Sequence, residues 1–413
     1  MKKVLQFLPL LILYIINIAL FSDNEPFRDE ARYLMYAQNI ANGFYTTTEN
    51  PYLMNGPGYP IFLSFFMGLN LPLIVPKLVN GVLIFLSVLF FYNTLLCYIP
   101  QKKALLFAYI MGLYYPMFRW MILNITESLS FFLLCGFLFY SMKICRMEKP
   151  KLWNIILPGL LMGYLLLTKL FFVYVVLLSL IIGIFYYVIF KTKTIGRLST
   201  IMTVGLLCLT PYLIYTYKLT GRSMYLGTNG GEQLYWMTTA HENEYGMWYA
   251  ISPELKYLVS NLHPNHAEIS DLVASKSFVE QNDFITKAAL ENIKNNPKDY
   301  IKNILPNTLR LMFGYPYSYM HQNMSMYYYL MINMPLMLAF ALCFFPAYLH
   351  RRAIPTEIIG MVLFVMIYFA GCAMLSAVPR YFFMALPFIL LWIAFVSTYF
   401  VQITFQNKLS DPS

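Results

Sequence analysis

Apolar residues dominate the chain in long runs, and the polar residues collect between these runs. Most runs approach or exceed about 20 residues, the length that an α-helix needs to cross the hydrocarbon core of a bilayer. The pattern predicts an all-α polytopic membrane protein with about ten transmembrane helices. The predicted spans are 4–21, 75–99, 104–118, 121–142, 153–168, 170–190, 198–217, 326–349, 356–378 and 381–403.

The composition changes this picture little. Hydrophobic residues make up 59% of the 413 residues and charged residues only 12%, whereas a soluble domain carries roughly 25% charged residues. A soluble enzyme is therefore excluded. The first apolar run follows Lys2 and Lys3 but no small-x-small cleavage motif follows it, so we expect an uncleaved span rather than a signal peptide.

The net charge of +10 is distributed unevenly along the predicted topology. An even number of spans puts both termini on one side, where the termini and short loops contain 14 basic and three acidic residues, a net charge of +11. The opposite face then carries −1. Because basic residues are enriched in cytoplasmic loops, we predict a multi-pass protein of the cell (plasma or inner) membrane with both termini in the cytoplasm. Nucleic-acid binding, which a basic chain otherwise suggests, loses its main support.

Two connections are too long for tight turns, 22–74 and 218–325, and both are extracytoplasmic in this topology. They are rich in Tyr, Trp, Gly and Pro, which is not typical of disorder, and we expect the working surface there. The predicted organisation is an N-terminal transmembrane module, 1–217, that carries the first extracytoplasmic loop, 22–74; the long loop, 218–325; and C-terminal helices with a short cytoplasmic tail, 326–413.

Two segments of these loops are predicted to contact the membrane without crossing it, and the second of them, 284–303, is predicted to be helical. Segment 59–71 is apolar but too short to span, which favours an interfacial or re-entrant position. Segment 284–303 is basic and partly amphipathic, as in helices that rest on lipid headgroups.

The first candidate for chemistry is segment 27–43, which follows the first span and consists of good helix formers up to a terminal glycine. Asp29 and Glu30 fall in its first turn, where the helix dipole keeps carboxylates ionised. An ionised carboxylate at the membrane surface can act as a general base or bind a metal ion. Alternatively, both acids only cap the helix and pair with Arg28 and Arg32. The residues predicted to share a helix face with Asp29 are Arg32, Tyr33 and Tyr36.

Three more charged residues lie at extracytoplasmic ends of predicted spans: Glu127, Lys169 and Arg380, the last followed by Tyr381. Ionisable groups flanked by this much hydrocarbon are functional candidates, and Lys and Arg can bind phosphate. The alternatives are that Lys169 and Arg380 extend to the lipid headgroups and that Glu127 forms a structural ion pair with Arg119 or Lys169.

The remaining motifs are weaker. Segment 55–60, Asn-Gly-Pro-Gly-Tyr-Pro, predicts a rigid turn that brings the backbone close to another part of the protein. His263 and His266 have a weak metal-ligand spacing, which we interpret as a solvated surface, and His321 has no neighbouring motif. The six cysteines lie in or at the ends of apolar runs without a CxxC pattern, so they predict neither disulfides nor a zinc site.

The chain contains neither a P-loop nor a GxGxxG motif that opens a helix, so ATP-driven chemistry or a nucleotide cofactor is not predicted. An enzyme that works outside the cytoplasm has little nucleotide to use. A membrane-borne activated donor would meet that need.

Taken in order, the motifs resemble the GT-C class of polytopic glycosyltransferases, in the branch with the protein O-mannosyltransferases and the lipid A aminoarabinose transferase. Each motif is weak, but the ordered set is fairly specific and extends over about residues 1–403. The matching residues are Asp29-Glu30-x-Arg32-Tyr33, Gly56-Pro57-Gly58-Tyr59-Pro60, Thr126-Glu127, Thr168-Lys169, Arg380-Tyr381 and Pro387, together with Thr228-Asn229-Gly230-Gly231 and Gly246-Met247-Trp248.

The resemblance implies a glycosyltransferase that moves a sugar from a polyprenyl-phosphate donor to an acceptor hydroxyl on a lipid, glycan or protein, with inversion at the anomeric carbon. By similarity, Asp29 would be the catalytic carboxylate, directly or through a divalent metal that it would bind, with Glu30 in a weaker role. Lys169 and Arg380 would neutralise the departing lipid phosphate. The other substrate-binding residues implied are Arg32, Tyr33, Tyr59, Glu127 and Tyr381.

The chain departs from the aminoarabinose transferases at one motif. Where they carry an acidic-Lys-Pro-Pro turn, this chain has the turn at 56–60, which lacks the lysine and the acid and weakens the case for lipid A as acceptor. The main alternative function is a transporter or lipid flippase, although such proteins tend to show paired halves and mid-membrane charges and this sequence has no repeat. A non-catalytic assembly partner is the third alternative.

Overall fold

The structure, a computed structural model, describes residues 2–23, 25–26, 29–239, 241–249, 263–317 and 324–401. Within these ranges the chain forms helices and no β-strand, in agreement with the predicted all-α class. The α-helices are α1 Lys2–Leu5, α2 Leu8–Phe21, α3 Asp29–Ala41, α4 Gly58–Gly68, α5 Ile74–Leu96, α6 Gln101–Gly112, α7 Tyr115–Met121, α8 Thr126–Cys145, α9 Leu152–Thr168, α10 Phe171–Phe190, α11 Lys193–Leu207, α12 Thr210–Thr220, α13 Gly230–Thr238, α14 His263–Ala274, α15 Phe278–Asn295, α16 Pro297–Phe313, α17 Met324–Leu342, α18 Phe344–Leu349, α19 Thr356–Met374 and α20 Phe382–Tyr399, and short 3₁₀ turns lie at Arg351–Ala353 and Pro379–Tyr381.

Seven helical segments in the described part of the chain are long and apolar enough to cross a membrane. They are Ile74–Leu96, Thr126–Cys145, Phe171–Phe190, Lys193–Thr220, Met326–Leu349, Thr356–Met374 and Pro379–Tyr399. By length and composition they give the chain the character of a multi-pass membrane protein. The other three predicted spans fall on α2, α6 and α9, which have 14, 12 and 17 residues, so the count of ten stays a prediction.

The predicted span 104–118 is wrong as a single helix, because α6 ends at Gly112 and α7 begins at Tyr115. Pro116 explains the break: it has no N–H to donate to the carbonyl four residues earlier, and its ring clashes there. That carbonyl belongs to Gly112, and it accepts a 2.7 Å hydrogen bond from the Tyr14 hydroxyl of α2 instead. The start of α8 moves accordingly from the predicted 121 to Thr126.

One hydrophobic core holds the membrane helices together, with α8 and α20 at its centre. In the most apolar window of each of these two helices 78% of the residues are buried, compared with 28% in α10. Phe131 of α8 and Phe383 of α20 stack with their ring centroids 4.0 Å apart. Helices that are apolar all round suit both positions, since the central ones meet protein on every side and the outer ones meet lipid.

The basic short loops lie together at one end of the bundle. Arg197 of α11 donates hydrogen bonds to the carbonyl oxygens of Ile144, Met147 and Glu148 at the end of α8. At the same end, the Tyr98 hydroxyl donates to Glu357 in the first turn of α19, at 3.0 Å. These loops are the ones that the charge pattern assigns to a common side of the membrane.

A second, small core is formed by α13, α14 and α15, around Trp236 and Ile285. The predicted helix 284–303 is interrupted here at Asn296, because Pro297 occupies the first turn of a new helix, α16. The fully buried Arg310 of α16 donates to the carbonyl oxygens of Ala377 and Gly246. This arginine joins the long loop to the segment that precedes α20.

Candidate functional site

Helix α3 presents the first candidate residues as the sequence predicts. It begins at Asp29 and ends at Ala41, and Gly43 then adopts φ +92°, a left-handed conformation that glycine tolerates best. Tyr33 and Tyr36 are buried on its inner face, and this packing fixes the direction in which the acids of the first turn point.

Five charged side chains from distant parts of the sequence meet at the end of the bundle opposite the basic loops. Asp29 Oδ2 lies 2.7 Å from Arg380 Nη2, and Asp29 Oδ1 lies 2.9 Å from Arg32 Nη2. Glu127 Oε1 lies 3.1 Å from Lys169 Nζ and 3.5 Å from Arg380 Nε. We call Asp29, Arg32, Glu127, Lys169 and Arg380 the charge cluster. Its three cations and two carboxylates leave a net charge of +1.

Helix ends position every member of the charge cluster. Glu127 lies in the first turn of α8, and Lys169 in the connection between α9 and α10. Arg380 belongs to the 3₁₀ turn that precedes α20. Arg380 and its partner Asp29 are 351 residues apart in the sequence, so only the folded bundle brings them together.

The charge cluster is partly open to its surroundings. The Glu127 side chain is only 2% exposed, but Lys169, Arg380 and Asp29 are 15%, 24% and 27% exposed. The Lys169 amine points to Glu127, so the alternative that it extends to the lipid headgroups is wrong. The alternative of an ion pair at Glu127 is confirmed for Lys169, and Arg380 is a second partner.

The charges around Asp29 set its protonation. Burial alone raises the pKa of its carboxyl, but the guanidinium groups of Arg380 and Arg32 outweigh burial and hold that pKa below its ordinary value of 3.8. Asp29 is therefore ionised at neutral pH, with both oxygens already accepting hydrogen bonds. A metal ion at Asp29 would have to displace one of the two arginines.

Aromatic rings frame the cations of the charge cluster. Lys169 Nζ lies 5.5 Å from the centre of the Tyr381 ring, and Arg380 Cζ lies 5.8 Å from that of Trp120. Trp120 in turn donates to the Tyr329 hydroxyl at 3.2 Å. Sequence reasoning missed Trp120 and Tyr329, because aromatic residues are common throughout the chain.

The turn at 55–60 makes the close backbone approach that the sequence predicts. A Cβ atom at Gly56 would lie within 2.1 Å of the Leu167 carbonyl oxygen, and one at Gly58 within 2.5 Å of Thr168 Oγ1, so glycine is required at both positions. The turn thus packs directly before Lys169. Asn55, which sequence reasoning missed, accepts from Arg32 Nε at 2.6 Å and orients that arginine.

Tyr33 and Tyr59 lie behind the charge cluster rather than among its charges. Both are buried, and their rings pack edge to face with centroids 5.3 Å apart. The Tyr33 hydroxyl accepts from Asn55 Nδ2 at 3.0 Å, and the Tyr59 hydroxyl is buried without a hydrogen bond among the described residues.

Glu30 points away from the charge cluster. Its side chain is 1% exposed, and its Oε1 lies 3.6 Å from Nζ of Lys77, a buried lysine of α5. Glu30 Oε1 also accepts from the backbone N–H of Asn124 at 2.7 Å, and Lys77 donates to the Asp23 carbonyl oxygen at 2.6 Å. These contacts fasten α3 to α5 and to the loop before α8. Sequence reasoning missed Lys77, although a lysine inside an apolar helix is a visible signal.

One of the two histidines of the weak metal-ligand pair is buried rather than solvated. His266 of α14 is buried, and its Nε2 lies 2.8 Å from Glu244 Oε1, so the expectation of a solvated side chain is wrong for this residue. The side chain of His263 and all of His321 lie outside the described residues.

No protein-family model matches the chain, and no curated protein matches it. The function must therefore be argued from the geometry of the charge cluster and from the chemistry of its side chains.

Proposed function

We propose that this protein is a membrane glycosyltransferase that moves a sugar from a polyprenyl-phosphate donor to an acceptor hydroxyl at the extracytoplasmic membrane surface. The observation that carries the proposal is the meeting of Asp29, Lys169 and Arg380 in one partly exposed cluster at helix ends. A carboxylate beside two phosphate-binding cations is the arrangement that such a reaction requires.

The proposed topology has ten spans with both termini in the cytoplasm. Basic residues favour the cytoplasmic side, and the basic loops meet around Arg197, at the end of the bundle opposite the charge cluster. The charge cluster then lies at the extracytoplasmic surface, beside the headgroup of a lipid-linked donor.

The cations of the charge cluster suit a lipid phosphate. The net charge of +1 is neutralised when a singly charged phosphodiester binds, and Arg380 Nε, a buried donor 3.5 Å from Glu127 Oε1, makes no hydrogen bond among the described residues. In the transfer step the bond between the anomeric carbon and the phosphate oxygen breaks, and negative charge develops on that oxygen. Fixed positive groups stabilise such charge best when they are already in position, and Glu127 holds both Lys169 and Arg380.

Asp29 is the proposed base. A phosphate that binds Arg380 competes with Asp29 for this guanidinium, and one carboxylate oxygen is then released to accept the proton of the acceptor hydroxyl. Donor binding would thus activate the base, while Arg32 and Asn55 keep the carboxylate oriented. The acceptor oxygen forms its bond to the anomeric carbon as the polyprenyl phosphate leaves, which inverts that carbon.

The test is turnover by the purified full-length protein with a series of polyprenyl-phosphate sugars. We expect release of polyprenyl phosphate with at least one sugar and loss of that release in Asp29→Asn. The matched control is Asp271→Asn, an exposed aspartate of α14, which should keep full turnover. Movement of labelled lipid across vesicles without any release would favour the transporter or flippase instead.

The same assay decides whether a divalent metal takes part. If Asp29 acts directly on the hydroxyl, a chelator should leave turnover unchanged. Loss of turnover with a chelator and its recovery with a divalent ion would instead assign Asp29 the role of a metal ligand.

A further inference from the structure

A second group of ionisable side chains lies in the long loop, outside the charge cluster. His241, Glu244 and His266 each offer one ligand atom, and these atoms lie within 4.8 Å of one another. Glu244 and His266 are each 1% exposed, whereas His241 is exposed. The group therefore has a buried floor and one side chain at the surface.

The hydrogen bonds of the buried pair leave one strong acceptor unused. Glu244 Oε1 lies 2.8 Å from His266 Nε2 and accepts from Asn265 Nδ2 at 3.0 Å. Glu244 Oε2 is buried without a hydrogen bond among the described residues; the Thr239 hydroxyl donates instead to the Trp236 carbonyl oxygen, at 3.1 Å. A buried carboxylate oxygen is costly to leave unpaired, which points to a positively charged ligand.

We propose that His241, Glu244 and His266 bind a divalent transition-metal ion, and that Zn²⁺ fits them best. Two imidazoles and one carboxylate are a common zinc-ligand set with a fourth position for water. The hard ions Ca²⁺ and Mg²⁺ prefer oxygen ligands and are disfavoured by two nitrogens. The exposed His241 supplies the entry side, and a modest movement of its ring brings all three ligand atoms to about 2.0–2.1 Å from the metal.

Tyr235 completes the arrangement around His266. Its hydroxyl lies 2.9 Å from His266 Nδ1, and when that hydroxyl accepts a hydrogen bond from Nδ1–H, the lone pair of Nε2 is free to bind the metal. Partners of this kind fix the tautomer of a metal-binding histidine. Tyr235 is thus a positioning residue that favours this tautomer when the metal is bound.

The ion would fasten segment 241–249 to α14. The carbonyl oxygens of Tyr245 and Gly246 in this segment accept hydrogen bonds from Arg310, at 2.9 and 3.1 Å, and Arg310 also holds Ala377 before the charge cluster. Metal binding would therefore stabilise the loop that borders the proposed active site. Zinc binding at this site does not depend on the proposed transferase activity.

The test uses full-length protein purified with an affinity tag that contains no histidine and then freed of metal with a chelator. Isothermal titration with ZnCl₂ should show one Zn²⁺ per chain, and Zn²⁺ should raise the thermal unfolding midpoint. His241→Ala and Glu244→Gln should each weaken binding at least tenfold, and Tyr235→Phe roughly tenfold. The matched control is His350→Ala, an exposed histidine at the other end of the bundle, which should bind zinc like the wild type.

Two outcomes would overturn the proposal. If the wild type binds no Zn²⁺ in the titration, the three side chains form only a hydrogen-bonded group. If His241→Ala and Glu244→Gln, both still folded, bind zinc with wild-type affinity, the ion lies elsewhere in the protein. Co²⁺ substitution gives an independent reading, because a thiolate charge-transfer band would assign the ion to cysteine rather than to these ligands.

Discussion

Asp29 and Glu30 are neighbours in the first turn of one helix, yet they lie in opposite environments. Asp29 is 27% exposed and bridges two arginines, one of them from the turn before α20. Glu30 is 1% exposed and lies against Lys77 and the backbone of Asn124. Because successive helical residues are rotated by about 100°, adjacent acids necessarily point to different partners.

The two environments differ in what they permit. A buried carboxylate enclosed by an amine and a backbone N–H has a structural role, since the removal of either partner leaves an uncompensated charge. A partly exposed carboxylate held by guanidinium groups can be reached from outside the protein, and its partners can change when an anion binds. Under the proposed function, Asp29 takes part in the chemistry and Glu30 has a structural role, although a sequence motif treats them as a pair.

The largest expected effect separates the two acids by activity. Asp29→Asn should lower turnover by roughly 10²–10⁴-fold, the usual contribution of a general base, while the protein stays folded with only a modest fall in its thermal unfolding midpoint, because the ion pairs of Asp29 are partly exposed. Glu30→Gln should keep turnover per folded molecule. Equal loss of turnover in both variants would show that the acids act together.

The second large effect is expected on stability, at the buried pair of Glu30 and Lys77. Lys77→Met removes the partner of Glu30 and should destabilise the protein by about 3–5 kcal/mol, as the loss of one member of a buried ion pair does. Thermal unfolding in detergent measures this change. The double variant Glu30→Gln with Lys77→Met should recover part of the loss, and a double variant less stable than Lys77→Met would contradict the assignment.

The two lysines provide a matched pair for the donor site. Lys169→Met should weaken binding of the polyprenyl-phosphate sugar by about tenfold or more, the range for a hydrogen bond to a charged group. Lys77→Met, which also removes a lysine paired with a glutamate, should leave donor affinity unchanged. Titration with the donor measures both, and unaltered affinity in Lys169→Met would remove this residue from the donor site.

The smallest expected effect concerns pH. Since the Asp29 pKa lies below 3.8, its ion pairs contribute stability at neutral pH that is lost only as the pH falls through this lowered value. The carboxylate should therefore not limit turnover between pH 5 and 7. Arg32→Gln removes one of the two cations and should raise the Asp29 pKa. The acid limb of the kcat/KM profile then moves to higher pH, whereas Arg222→Gln, at an exposed pair with Asp283, should not move it.

Local sequence signals predicted the parts of the fold that depend on local physics. The helix formers after residue 28 and Gly43 gave α3 and its end, and the glycines of 56–58 gave the close approach to α9. Two predictions failed because the effect of a proline on the helix was not considered. Pro116 divides the third predicted span, and Pro297 divides the predicted helix 284–303.

The sequence predicted the ion-pair partners within the charge cluster less well. The sequence offered Arg28 or Arg32 as partners for Asp29, and Arg119 or Lys169 for Glu127. The structure adds Arg380 to both acids. It also pairs His266 with Glu244, 22 residues earlier, where the sequence favoured a solvated histidine. Partner choice over such separations depends on how helices pack, and hydrophobic periodicity does not specify that.

The sequence by itself determined that the chain is an all-helical, multi-pass membrane protein and that its unusual charges fall at helix ends, because the bilayer fixes the length of apolar runs and makes buried charge costly. Only the tertiary structure decided which charges meet. Asp29 and Glu30 are adjacent acids of one sequence motif, and the tertiary fold gives Glu30 the buried Lys77 of α5 and Asp29 the partly exposed Arg380 of the turn before α20.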